Sequence, residues 1–177
     1  PVVDAEGALL SLAPRPGGGP PPAAGGADAA EAVRRLAAVV ALDAAALRED
    51  ARRFLAASGP VGILPPDQYL SLVVRVTEGC SWNACTFCRL YRDVPFRFKG
   101  EEEVRGHLAA LRAYLGPSLA LRRSVFLGDA NALCLSHERL LPLVVAVARE
   151  LPDRPLFSFL DAWTGRRRTP SEWRDLA

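Results

Sequence analysis

The sequence contains no methionine, only two histidines and only four cysteines among its 177 residues. So few cysteines in a chain this long do not make the disulfide framework of a small secreted domain, so a reducing, cytoplasmic setting is expected. Dominant charge of either sign is missing too: Lys and Arg exceed Asp and Glu by only two. That balance gives neither the basic footprint of a nucleic-acid binder nor an acidic tail. No apolar run approaches a bilayer span, and the N-terminus lacks the charged-then-apolar order of a signal peptide, so no membrane partner is expected. Without methionine, even at position 1, the sequence reads as a fragment or a processed chain. Half of the residues are hydrophobic, enough for one buried core plus an extension.

Three segments follow from composition and periodicity: 1–27, 28–66 and 67–177. In the first, Pro14-Arg15-Pro16-Gly17-Gly18-Gly19-Pro20-Pro21-Pro22 removes backbone donors and offers nothing apolar to bury, the mark of a linker. The second reads as two short helices. Asp28 with Glu31 resembles a capping box, and Val33, Leu36, Ala37 and Val40 share one face. Asp43 caps the next helix, with Leu47, Ala51, Phe54 and Leu55 as its stripe and Ser58-Gly59-Pro60 as its stop. The arginines here (Arg34, Arg35, Arg48, Arg52 and Arg53) alternate with Glu31, Glu49 and Asp50, which marks a solvated helix surface.

From Tyr69 onward, strand patterns alternate with helix patterns. Leu72–Val76 is almost wholly apolar, as a strand covered on both faces should be. Glu101–Leu115 places Val104, Leu108, Leu111 and Leu115 on one face, carries three glutamates at its positive end, and stops at Gly116-Pro117. Val125–Leu127 and Leu156–Leu160 read as further strands. Between them Ser136–Glu150 is helical, with Pro142 marking either a kink or the true start. Pro170-Ser171-Glu172-Trp173 opens another helix. The order predicts a parallel βαβαβ unit whose ligands collect at the carboxyl ends of its strands. The cysteine-bearing loop, Gly128-Asp129 and Asp161 each follow a strand, so all three belong at one end of the sheet.

That loop, Thr77-Glu78-Gly79-Cys80-Ser81-Trp82-Asn83-Ala84-Cys85-Thr86-Phe87-Cys88, holds three of the four cysteines within nine residues. Thiolates are soft ligands, and three this close can converge on one metal centre. The spacing Cys80-x4-Cys85-x2-Cys88, with Phe87 before the last cysteine, resembles the cluster loop of the radical S-adenosylmethionine (SAM) superfamily. That superfamily mostly spaces its first two cysteines by three residues, so this loop is one residue longer. Ser124–Asn131 resembles the second barrel strand of the same enzymes, and the likeness runs from about Tyr69 to the C-terminus. The resemblance implies an α/β fold, the first half of a partial (β/α)6 TIM-like barrel with about three units present. It implies a [4Fe–4S] cluster held by Cys80, Cys85 and Cys88, and SAM on the open iron. The implied chemistry is reductive cleavage of SAM to a 5′-deoxyadenosyl radical that abstracts a substrate hydrogen, with an external electron donor. Barrel residues supplied by later strands are absent, so this stretch alone is expected to hold the cluster without turning over substrate.

The resemblance also implies that Phe87 packs near the adenine, Gly128 lets backbone approach the ligand, and Asp129 takes the SAM ammonium. Asn131 and Asp161 are weaker candidates for ribose or substrate contacts. Trp82 is expected to shield the cluster, and Tyr91, Arg92 and Arg97 to hold the loop's return. His107 and His137 read as surface residues, and Arg166-Arg167-Arg168 as loop surface. Two rivals of another class stand beside this reading. One is a structural zinc site with Cys134 as fourth ligand, although Cys134 alone reads as a buried thiol. The other is a dithiol module built on Cys85-Thr86-Phe87-Cys88, which lacks the helix such motifs open.

Overall fold

The computed structural model describes residues 26–177 together with two short strands before them, β1 (Val2–Val3) and β2 (Leu9–Ser11). The Pro- and Gly-rich stretch expected to be a linker lies outside the described residues. The chain divides into two units, Pro1–Ala46 and Leu47–Ala177, so the boundary falls inside the second helix. In the first unit β1 and β2 pair antiparallel, with Val2 opposite Ser11. Helix α1 (Gly26–Val40) begins two residues before Asp28, whose side chain lies outside the described ones. Glu31 binds both Arg34 and Arg35, at 2.5 and 2.7 Å. These arginines are a solvated, internally paired surface.

Helix α2 (Ala44–Ser58) starts where Asp43 accepts the Ala46 amide at 2.7 Å, as its sequence predicts. The apolar stripes of both helices behave otherwise than expected: Val33, Leu36, Val40, Leu47 and Leu55 are all exposed. Amphipathic spacing states which side of a helix seeks cover, not what supplies it. Phe54 is the exception and tilts against Tyr114, with ring centroids 5.7 Å apart.

The second unit is built on a three-stranded parallel sheet. Strand β3 (Leu72–Arg75) is followed at once by β4 (Thr77–Glu78), which leaves the sheet and pairs antiparallel with β5 (Arg97–Phe98). Helix α3 (Glu101–Leu115) has the bounds its pattern predicts, and Gly116, at φ +50°, closes it. Strand β6 (Val125–Gly128) lies beside β3 in the register Leu72–Val125, Val74–Leu127. Helix α4 (His137–Glu150) contains Pro142, so the helix starts before the proline rather than at it. Strand β7 (Leu156–Ser158) is two residues shorter than expected and pairs with β6. Two helices close the chain, α5 (Ala162–Arg167) and α6 (Pro170–Leu176). The second was expected; the first was not.

Strand order β3-β6-β7 follows chain order, and both crossover helices feed one hydrophobic cluster. Leu72, Val74 and Val76 from β3 and its end, with Val125 and Leu127 from β6, meet Val104, Leu108 and Leu111 of α3. Leu140, Leu143 and Val147 of α4 complete it. Burying each such side chain contributes about 1.5–3 kcal/mol. This core fixes the strand ends, and the loops that matter leave from there. Among the described residues the sheet is mixed with helices but not closed into a barrel, and no helix is long and apolar enough to cross a membrane.

Candidate functional site

The cysteine loop is clipped at its base. Strands β4 and β5 bring Glu78 opposite Arg97, whose guanidinium grips the carboxylate at 2.7 and 3.1 Å and also reaches Glu103 at 2.8 Å. Gly79 opens the loop at φ +73°, where an added Cβ would lie 2.8 Å from the Val94 carbonyl oxygen. Both conformation and space therefore require glycine there. Within the loop, Asn83 donates its amide to Cys80 Sγ at 3.4 Å and its side chain to the Tyr91 carbonyl at 2.8 Å. Arg92 donates to the Cys85 carbonyl at 3.1 Å. Tyr91, Arg92 and Arg97 thus hold the loop's return, as expected.

Behind the loop lies a buried polar hub centred on Asp129. Its Oδ2 faces Arg75 Nη2 and the Gly79 amide, each at 3.4 Å, and its Oδ1 accepts the Tyr91 hydroxyl at 3.1 Å. Its own amide donates to Thr77 Oγ1 at 2.9 Å. Burial, then the Asp129 charge, pushes the Tyr91 phenol far above its ordinary range and keeps it a donor. Asp129 therefore ties together the ends of β3 and β6 and both sides of the cysteine loop. Gly128 is buried at the end of β6, where an added Cβ would meet Val73 Cγ1 at 3.4 Å.

His107, expected on the surface, is a structural part of this region. Its Nε2 accepts the Arg75 backbone amide at 3.2 Å. Burial, reinforced by the Lys99 and Arg75 cations, brings its pKa down to about 4, which keeps the acceptor nitrogen bare. Helical position alone could not reveal this role, because the partner strand lies thirty-two residues away.

In front of the hub an open cavity of about 1430 Å³ spreads across the carboxyl ends of all three strands. Cys80, Trp82 and Cys85 line it from the cysteine loop, Asn131 and Cys134 from the segment after β6, and Asp161 from the end of β7. The segments that follow the three parallel strands, expected at one end of the sheet, do meet there, although Gly128 and Asp129 themselves lie outside the lining. Asp161 caps α5, accepting the Thr164 amide at 2.7 Å and its hydroxyl at 2.6 Å. These bonds hold its carboxyl below the ordinary range. Asn131 donates to the same carboxylate. Trp82 is 73% exposed and Phe87 88%, so Trp82 stands on the rim and Phe87 points to solvent outside the lining.

All four cysteines are free and partly accessible. Cys134 is not an apolar bystander: it faces the same cavity as Cys80 and Cys85, and burial pushes its thiol up. Cys88 lies on the loop but outside the cavity lining. Among the described residues no three His, Cys, Asp or Glu side chains are gathered as a metal set. Cys80, Cys85 and Cys88 fit an iron–sulfur cluster in kind and number, three free thiols on one clipped loop, but they are not gathered on one point. No family model, curated protein or solved structure matches the chain.

Proposed function

We propose that the chain is the cluster-binding core of a radical SAM enzyme. The observation that carries this reading is the three-cysteine loop, clipped by β4 and β5, opening onto a cavity at the carboxyl end of a parallel sheet. Cys80, Cys85 and Cys88 would hold a [4Fe–4S] cluster, and SAM would enter by the cavity. Together they supply, when bound and reduced by an electron donor, the 5′-deoxyadenosyl radical. The chain's own residues orient and enclose. The Asp129 hub fixes where the loop leaves the sheet, Trp82 bounds the cavity, and the Asn131–Asp161 pair offers fixed polar atoms toward ribose or substrate. Asp129, which the resemblance assigns to the SAM ammonium, is buried, paired with Arg75 and Tyr91 and outside the cavity lining, so its part in this reading is to hold the loop. Consecutive strand order with both crossover helices on one core is the arrangement of a barrel wall, which supports a partial (β/α)6 barrel.

A second reading has its own support. Cys134 stands in the cavity with Cys80 and Cys85, which favours a four-thiolate zinc site of structural kind. One experiment separates them. Anaerobic reconstitution with iron and sulfide should give a brown protein with broad visible absorption. The colour should vanish in Cys85→Ala and survive in Cys134→Ala. A colourless protein carrying stoichiometric zinc that is lost in Cys134→Ala would replace the radical SAM reading with the zinc site.

A further inference from the structure

The wall of the cavity facing the cysteine loop is cationic and under-bonded. Arg139 lies in the first turn of α4, Arg167 ends α5, and Arg168 follows it; all three line the cavity. Of the run expected as loop surface, Arg166 and Arg167 are exposed as expected but belong to α5 rather than a loop, and Arg168 is half-buried. Arg168 is fixed by donating Nη2 to the Leu133 and Leu135 carbonyls at 3.0 and 2.6 Å, and its buried Nε has no partner among the described residues. His137 turns Nε2 to Asp175 at 3.2 Å, and its buried Nδ1 has no partner among the described residues. Arg139 stacks on the Phe98 ring at 4.6 Å, and Arg167 has no hydrogen-bond or ion-pair partner among the described residues. A buried guanidinium nitrogen orphaned at a cavity wall indicates a missing acceptor, because leaving it unpaired costs about 1–3 kcal/mol, and the exposed Arg139 and Arg167 bring two further cations to the same space.

Three carboxylates line the same cavity and set the opposing charge: Glu138, Asp161 and Glu172. Two of them are committed elsewhere. Asp161 caps α5, and Glu172 accepts the Thr169 amide and hydroxyl at 2.7 and 3.0 Å as part of the cap of α6. Their lone pairs are directed along the chain, whereas the Arg139 and Arg167 guanidinium groups make no hydrogen bond or ion pair among the described residues, and Arg168 keeps its Nε free. Ser136, at the start of α4, makes no side-chain cap, so the helix presents its positive end to the same space.

We propose that this wall, formed by Arg139, Arg167 and Arg168, seats an anionic group, phosphate or carboxylate, of the substrate. The apolar body of that substrate would lie against Trp163 and Leu160, both exposed and both lining the cavity. The word substrate rests on the radical SAM reading; the anion site does not.

The test uses the whole chain and two probes, inorganic phosphate and benzoate, titrated at constant ionic strength. Trp82 and Trp163 border the cavity and report binding by fluorescence. One probe or both should saturate, with a dissociation constant on the order of millimolar for so small a ligand. Arg139→Gln with Arg167→Gln should weaken binding by roughly tenfold or more, as expected for two lost charge-assisted contacts. Arg166→Gln, outside the lining, should change nothing. The stronger probe identifies the group as phosphate or carboxylate. Absence of saturation, or full binding in the Arg139→Gln, Arg167→Gln variant, overturns the site. Displacement of the probe by SAM overturns its assignment to substrate. Visible absorption of the reconstituted protein is read separately, so anion binding in a protein that takes no cluster sinks the enzyme reading and leaves the anion site standing.

Discussion

Tyr91 donates a hydrogen bond from its hydroxyl to Asp129 Oδ1 at 3.1 Å, joining the far side of the cysteine loop to the end of β6. Asp129 and Arg75 are both only 7% exposed, so neither charge can turn to water if the other is lost. Tyr91→Phe keeps the ring and removes the hydroxyl, which should lower stability by about 1–2 kcal/mol. Asp129→Asn leaves Arg75 buried without its counter-charge and should cost about 3 kcal/mol. Thermal unfolding measures both. Equal melting temperatures for wild type and Asp129→Asn would show that the hub does not hold the loop.

Much of this arrangement was legible beforehand, for identifiable reasons. Glu101–Leu115 carries a periodic stripe, an acidic start and a Gly-Pro stop, and each local signal agrees with the others. Strand β3 and its cysteine loop were legible because a dense apolar run ends in turn residues. The rest depends on contacts remote in sequence. Strands β4 and β5 hold two residues each, too few for any periodicity, and exist because Glu78 and Arg97 meet across nineteen positions. Helix α5 spans six residues, contains Gly165, and is set by the Asp161 cap. Cys134 joined the cavity through the short turn Ala132–Cys134, which no spacing rule announces.

His107 makes stability depend on pH. Its folded pKa of about 4 lies below the ordinary value of 6.5, because burial and the nearby cations disfavour the imidazolium. Between those values the unfolded chain binds the proton and the folded chain does not. Stability is thus complete above about pH 6.5 and falls as pH drops toward 4. Since the ring is partly solvated, the loss should be discounted to on the order of 1 kcal/mol. Denaturant unfolding at a series of pH values, for wild type and His107→Gln, checks this. The glutamine can still accept the Arg75 amide, and its curve should lack the His107 share of the decline. Parallel curves would assign the acid loss to other groups.

Two glycines in the second unit should respond in opposite directions. Gly106 sits inside α3 with nothing within 4 Å of an added Cβ. Gly106→Ala should stabilise by about 0.5–1 kcal/mol through helix propensity alone. Gly79→Ala meets both a positive φ and the Val94 carbonyl at 2.8 Å, against backbone that cannot swing away. It should cost about 1–3 kcal/mol. Melting curves of the two variants suffice, and a neutral Gly79→Ala would mean that the loop leaves β4 by another path.

Arg97 provides the last test, because it separates the strength of the clip from the strength of the fold. Its guanidinium spans Glu78 and Glu103, and these two carboxylates hold its pKa above the ordinary arginine value. The side chain is about half exposed, so water and salt screen the pairs and Arg97→Ala should lower global stability by only about 0.5–1 kcal/mol. Strands β4 and β5 depend on it far more than the core does, since each is only two residues long and no hydrophobic cluster residue lies on either. Local opening of the clip should therefore increase while the core stays closed. Hydrogen exchange reads the difference. In Arg97→Ala the Lys99 amide, which donates to the Val76 carbonyl at 2.9 Å beside the clip, should exchange faster. Amides of β6 in the core should keep their protection. Raising salt in the wild type should move exchange in the same direction. Unchanged exchange at Lys99 in both experiments would show that backbone pairing, without the arginine, closes the base of the cysteine loop.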